Sequence, residues 1–252
     1  MRVFIVNLER SMERKKALQE RCGQLGLEVE FIKAVDGKAL TNEEIKKATT
    51  PLNYAFLPGE IGCALSHQFI YKKMINEKIK AALILEDDVT LPDFLPSMLE
   101  KISLNKTQAE VLLLSRVNKY FKKPVKLLDD HLSIHRIQSA TTTHSYIINL
   151  PAAISLLDAL YPVWMTADKW SLFEDYSLLK VYAIVPAPVE LSPNASVSTI
   201  NTKKGDTNID SKKKSIWNAI MKDRPLKVKI KNRIRRGLAP LIYSVVNQGK
   251  GP

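Results

Sequence analysis

Cysteine is scarce in this chain: Cys22 and Cys63 are the two among 252 residues, and they stand in unrelated contexts with no CxxC spacing. Neither a disulfide framework nor a zinc site is suggested by them. Glycine (9) and proline (13) are also few, which excludes collagen-like and low-complexity classes. Long apolar runs are missing. The longest, such as Ala81 to Leu85, fall far short of the roughly 20 residues of a membrane-spanning helix. The opening segment MRVFIVNLERS turns polar early and has no small-residue cleavage site, so the expectation is a protein that stays in the cytoplasm.

What remains is an ordinary globular composition, 45% hydrophobic and 25% charged, with enough chain for one large domain plus an appendage. The charge is placed unevenly. Residues 203–236 hold 13 Lys or Arg against 3 Asp, a net of +10, whereas the first 202 residues carry +1 of the total of +12. This pattern divides the chain into a nearly neutral body, 1–202, and a basic tail, 203–252, that adheres to something anionic.

Within the body, apolar β-branched runs predict strands at residues 3–8, 29–35, 81–85, 111–114, 146–150 and 182–185. Helical patterns alternate with them. One starts at a Ser11 cap and runs to Gly26, with Met12, Leu18 and Leu25 inward. Thr41 and Glu44 form a capping box for a helix over 42–48. Residues 60–77, 93–102 and 151–160 read as further helices, the last with Pro151 at its first position. Residues 51–58 read as a loop, and 117–137 as a hairpin or excursion. The alternation predicts an α/β fold of Rossmann type, a mainly parallel sheet flanked by helices.

Ligands of such sheets sit at the carboxyl ends of strands, and the third predicted strand runs straight into Glu86-Asp87-Asp88. Three adjacent carboxylates repel one another. Mg²⁺ or Mn²⁺ shared with a substrate phosphate would neutralise them, and a solvated acidic turn is the alternative reading.

The cluster has company. FIVNLERSMERK opens the chain, AVDG ends the second strand, GEIGCALSH covers Gly59 to His67, and ILEDDV covers Ile84 to Val89. In that order these segments resemble glycosyltransferase family 25, the bacterial lipooligosaccharide sugar transferases and their collagen galactosyltransferase relatives, over roughly residues 1–200. The resemblance implies a GT-A fold, a UDP-sugar donor, a divalent metal, Mn²⁺ or Mg²⁺, and transfer with inversion. It implies that Glu86 and Asp88 hold the metal while Asp87 contacts ribose or sugar. Asn7, Glu9, Arg10 and Arg14 follow the first strand, where the nucleotide binds, and Arg10 is the nearer arginine for phosphate. Ser66 and His67 belong to the donor site by the same likeness, although Ser66 could equally bond back to its own helix. Asp168, in MTADKWSLF, matches the later aspartate that takes the acceptor's proton, with Glu174 and Asp175 as alternatives. Trp164 and Trp170 are either acceptor-stacking or core aromatics.

The implied reaction moves a hexose, galactose from UDP-galactose before glucose from UDP-glucose, onto a terminal sugar of lipooligosaccharide or lipopolysaccharide. In the tail, Leu226, Ile230, Ile234, Leu238, Leu241 and Val245 recur every three or four residues among Lys and Arg. A helix of that kind lies on an anionic bilayer, which places the protein peripherally on the cytoplasmic face of the inner membrane; Gly237 and Pro240 break it, and 226–231 also alternates like a strand. A nucleic-acid-binding protein is the competing class. The tail lacks aromatics interleaved with its cations and the body lacks a basic face, so nucleic acid is not the expected partner.

Overall fold

The computed structural model describes residues 1–193 and 207–249. The chain opens with β1 (Arg2–Asn7), α1 (Met12–Gln24), β2 (Val29–Lys33), α2 (Asn42–Ala48), α3 (Pro58–Asn76) and β3 (Ala81–Glu86). There follow β4 (Val89–Thr90), α4 (Leu95–Lys101), β5 (Glu110–Leu113), β6 (Lys119–Phe121), β7 (Lys126–Leu127), β8 (Ser133–Ser139) and β9 (Ser145–Asn149). The body closes with α5 (Leu150–Leu160), α6 (Trp170–Asp175), β10 (Lys180–Val185) and β11 (Glu190–Leu191). The carboxyl-terminal part adds α7 (Thr207–Asp223), α8 (Leu226–Arg233), a π-helical turn over Ile234–Leu238, α9 (Ala239–Ile242) and β12 (Val245–Asn247).

One ten-stranded sheet in the order β12-β6-β8-β10-β5-β9-β3-β1-β2, with β7 beside β8, organises the molecule. Strands β1, β2, β3, β5, β6, β7 and β10 run one way, and β8, β9 and β12 run against them. The expected α/β architecture is therefore the observed one. The stretch over 117–137 adds antiparallel strands at one side.

The central strands are apolar on both faces because helices cover both. Phe4, Ala82, Ile84, Tyr146 and Ile148 enter the layer under α3, α5 and α6. Their neighbours Val3, Ile5, Leu83, Leu85 and Ile147 enter the layer under α1 and α4. The capping box at Thr41 and Glu44 starts α2 as the sequence predicts, and Asn149 caps α5 by accepting from the Ala152 amide at 3.0 Å. Ser11 precedes α1 but makes no side-chain cap, and Met12 is 62% exposed, because α1 turns Leu18 and Cys22 inward instead.

The tail is helical and packs on the body. Ile220 is buried in the first layer, with Ile216, Trp217 and Met221 packed against it. Lys213 pairs with Glu60 on α3, Arg235 pairs with Asp175 on α6, and β12 extends the sheet beside β6. Leu226, Ile230, Ile234, Leu238 and Leu241 stay exposed on the outer side, and Val228 is buried in their stead. Val245 leaves this stripe and enters β12, because the helical run ends at Ile242. The expected boundary at 202 and 203, and Lys250, lie outside the described residues.

Two motifs distant in sequence touch through bare backbone. A Cβ on Gly62 would lie 2.4 Å from the Val35 carbonyl oxygen and 2.7 Å from the Gly37 nitrogen, so α3 approaches the end of β2 as closely as glycine allows. Backbone atoms cannot swing aside. Gly62→Ala is therefore expected to lower stability by about 1–3 kcal/mol in chemical denaturation. Gly23→Ala, on the exposed side of α1 with nothing within 4 Å, is the control. It is expected to raise stability by about 0.5–1 kcal/mol.

Candidate functional site

The order β3-β1-β2 puts the first crossover on one side of β1 and the second on the other, so the carboxyl ends of β1 and β3 flank a switch point. A narrow cleft opens there between Arg14 on α1, Gly37 after β2, Cys63 and His67 on α3, Glu86 at the end of β3 and Asp87 just beyond it. Past Arg10 and Asp36 it meets a wider groove of about 880 Å³ along Glu9, Lys33, Leu40 and Phe69.

Each carboxylate of the acidic turn has a different environment. Thr143 Oγ1 donates to Glu86 Oε1 at 2.5 Å, and His144 Nδ1 lies 3.5 Å from Oε2. Burial pushes the Glu86 carboxyl up, with His144 opposing and Asp88 reinforcing. Asn7 Nδ2 donates to Asp87 Oδ2 at 2.7 Å and Arg14 Nη1 to Asp87 Oδ1 at 3.2 Å, yet burial still raises this carboxyl. Asp88 Oδ2 is 3.8 Å from Arg14, and its Oδ1 is buried with no hydrogen-bond partner among the described residues. An orphaned carboxylate oxygen in a crowd of carboxylates is an opening for a cation.

Glu86, Asp88 and His144 offer ligand atoms that all lie within 4.8 Å of one another. Two carboxylates and one imidazole fit a divalent ion, and the imidazole favours Mn²⁺ over Mg²⁺. Cys63, His67 and Glu86 form a second such group. His67 is fully buried, burial holds its imidazole pKa down at about 4, and Nδ1 pairs with the Tyr146 hydroxyl at 2.6 Å while Nε2 has no partner among the described residues. Burial and the Glu86 charge push the Cys63 thiol well up.

The other sequence-chosen residues are distributed as follows. Ser66 accepts from the Val35 amide at 2.8 Å and donates to the Gly62 carbonyl at 2.7 Å, which ties α3 to the end of β2. Arg10 pairs with Asp36, and Glu9 pairs with Lys33 at 2.6 Å on the surface, so of the two arginines it is Arg14 that reaches the acidic turn. Asp168 accepts from Thr166 Oγ1 at 2.6 Å and lies 3.4 Å from Lys169 Nζ; its charge also reaches Cys63. Asp175 is buried and fully engaged by Arg235 and Asn232. Glu174 faces Arg136, Lys180 and Arg235, and burial raises its carboxyl. Trp170 is a core aromatic: it is fully buried, donates to the Thr142 carbonyl at 2.6 Å and meets Tyr146 edge to face. Trp164 is partly buried and donates to the Ala159 carbonyl at 2.8 Å.

Sequence reasoning passed over His144 and Thr143, although both stand in the segment THSYIIN. Their signal was the direction of β9. It runs against β3 with Leu85 opposite Ser145, so its beginning, not its end, arrives at the acidic turn, and the Glu86 amide donates to the His144 carbonyl at 2.9 Å.

Fold and site together define an α/β protein with a cleft at the switch point of its sheet, beside an acidic turn whose ligand atoms could hold a cation. Residues 1–171 match the family described as glycosyltransferase family 25 (LPS biosynthesis protein). The chain belongs to that family. It is 29% identical over 174 residues to human procollagen galactosyltransferase 2, covering 62% of this chain and 27% of that protein. It is 32% identical over 184 residues to a glycosyltransferase 25 family member of Drosophila melanogaster, covering 64% and 29%. The chain thus spans less than a third of the length of these relatives. Among solved structures, a glycosyltransferase involved in glycosylation of the major capsid of PBCV-1 aligns with 12% identity and a TM-score of 0.32 over 61% of this chain and 63% of that one.

The orphaned Asp88 oxygen carries a direct test. Mn²⁺ in excess over its dissociation constant is expected to raise the melting temperature, since binding at about a hundredfold excess adds roughly 2.7 kcal/mol. Asp88→Ala and His144→Ala are expected to abolish that rise while remaining folded, as read by circular dichroism.

Proposed function

We propose that this chain is a metal-assisted, inverting glycosyltransferase that moves a hexose from a UDP-sugar onto a terminal sugar of lipooligosaccharide or lipopolysaccharide. Galactose is the first choice of sugar, in keeping with the galactosyltransferase relatives, and glucose the second. The observation that carries the reading is the acidic turn at the switch point with one buried carboxylate oxygen left unpartnered.

In this reading Glu86, Asp88 and His144 hold the ion, which when bound offsets the charge of the departing diphosphate. Asn7 and Arg14 fix Asp87 beside it, and the groove along Arg10, Lys33 and Asp36 takes the nucleotide. Inversion is a single displacement, so the chain has to supply a base and no nucleophile. Asp168 takes the proton of the attacking hydroxyl, held in orientation by Thr166 and Lys169. Asp175 is committed to Arg235, which leaves Asp168 the better placed of the two.

A donor panel tests this: purified protein with Mn²⁺ and UDP-galactose, UDP-glucose or UDP-N-acetylglucosamine, scored for UDP release with and without a sugar acceptor. UDP-galactose is expected to give the fastest acceptor-dependent release, and no release with any donor would overturn the reading. Asp168→Ala is expected to lower turnover by about 10²–10⁴-fold while UDP affinity stays the same; a variant that keeps its rate removes Asp168 from the role.

Among the described residues no helix is long and apolar enough to cross a membrane. The tail is proposed to lie on the cytoplasmic face of the inner membrane through exposed Leu226, Ile230, Ile234, Leu238, Leu241 and Ile242, with neighbouring Lys and Arg adding about 1 kcal/mol each near an anionic surface. Leu241→Glu with Ile242→Glu is expected to reduce co-sedimentation with phosphatidylglycerol vesicles and leave transfer to a soluble acceptor unchanged.

A further inference from the structure

A second cavity lies away from the acidic turn, between α6, the end of β8 and the carboxyl-terminal helices. Its volume is about 680 Å³, within the range of sites that enclose a small molecule. Its walls are cationic. Lys119, Lys169, Arg224, Arg235 and Arg236 line it, against Asp175 as the single anionic side chain among the described residues. Arg235 is consumed by Asp175, and Lys169 lies beside Asp168. Lys119, Arg224 and Arg236 have no carboxylate partner among the described residues, although Arg224 Nε donates to the Met221 carbonyl. Uncompensated guanidinium and ammonium groups around one concavity raise the local concentration of anions and bind phosphate or carboxylate by charge-assisted hydrogen bonds.

The cavity also has a face for sugar. Trp217 on α7 lines it, with its ring edge-on to Tyr54 at 5.3 Å between centroids, and aromatic faces pack on the apolar side of pyranose rings. Two segments lead from it to the reaction centre proposed above. One runs from Gln138 to Thr141 in the cavity wall and on to Thr143 and His144 against Glu86. The other passes from Ser171 and Lys169 in the wall to Asp168.

We infer that this cavity binds the acceptor, and that the acceptor is an anionic saccharide carrying a phosphate or carboxylate close to the sugar that is glycosylated. The inference rests on the glycosyltransferase reading for the word acceptor, while the binding of an anionic sugar stands on the cavity alone. Lys119 and Arg236 take the charged group, Trp217 takes a ring face, and Lys169 brings the neighbouring hydroxyl toward Asp168.

Ligand-observed NMR titration of the full chain at low salt, without donor, tests it. The probes are glucose 6-phosphate, glucuronate and glucose. At least one charged sugar is expected to bind about tenfold or more tightly than glucose, and the preference is expected to fall with added salt. Binding of the phosphate alone or of the carboxylate alone supports the proposal and assigns the charged group. Arg236→Gln with Lys119→Gln is expected to erase the preference; Arg236→Gln by itself changes an exposed side chain and keeps the test valid should the double variant fold poorly. Equal affinity for charged and neutral sugars, a preference untouched by these variants, or displacement of glucose 6-phosphate by UDP would overturn it. No donor or turnover enters the titration, so a negative donor panel with a positive titration rejects the enzyme reading, and the reverse rejects only this cavity.

Discussion

The pairing of β9 against β3 is the constraint on which the site depends. A buried strand that ends in three carboxylates is electrostatically costly, because each acid is taken from water and set beside two like charges. The register with Leu85 opposite Ser145 supplies part of the answer by placing Thr143 and His144 on Glu86. Asn7, at the end of the neighbouring strand β1, and Arg14, on α1, supply the part that falls on Asp87. Asp88 Oδ1 is what remains after both neighbours have contributed. Among the described residues the protein's own groups thus neutralise the turn incompletely, and the shortfall falls on one buried oxygen of Asp88.

A second constraint holds the rest of the cleft together. The Gly37 and Gly62 backbones meet, and Ser66 links the same two elements through the Val35 amide and the Gly62 carbonyl. The contact fixes the phase of α3 about its axis, and that phase turns Cys63 and His67, one helical turn apart, toward Glu86. Segments separated by tens of residues therefore behave as one unit, because a shift of α3 by a fraction of a turn would break the backbone contact and withdraw both side chains together.

Much of this was legible from the residues. Strand positions, the Thr41 capping box and the acidic turn at a strand end follow from periodicity and local hydrogen-bonding chemistry, which act over a few residues. Direction was less legible. A strand buried on both faces, such as SYIIN, reads the same in either sense, and the polar excursion before it hides the connection that would decide. His144 was missed for that reason. Helix phase caused another divergence: Met12 faces solvent, because one residue of rotation moves a side chain by 100° about the axis, and the same phase turns Arg14 to the carboxylates. The fate of Asp175 could not be read locally, since its partner Arg235 is 60 residues on.

The basic tail carries its charge in two populations, which is why its net of +10 says little by itself. Lys213 and Arg235 point inward and are matched by Glu60 and Asp175. Such desolvated pairs add little net stability, but breaking one strands a charge, so they specify where the helices sit more than how firmly. With the helices seated, Arg224 and Arg236 face the cavity, whereas Leu226, Ile230, Leu238 and Leu241 face outward. One segment then presents cations to a concave site on one side and an apolar stripe to the exterior on the other. A charged saccharide attached to a lipid is a ligand whose two ends match those two sides, so the acceptor and the membrane proposals follow from a single placement of the tail.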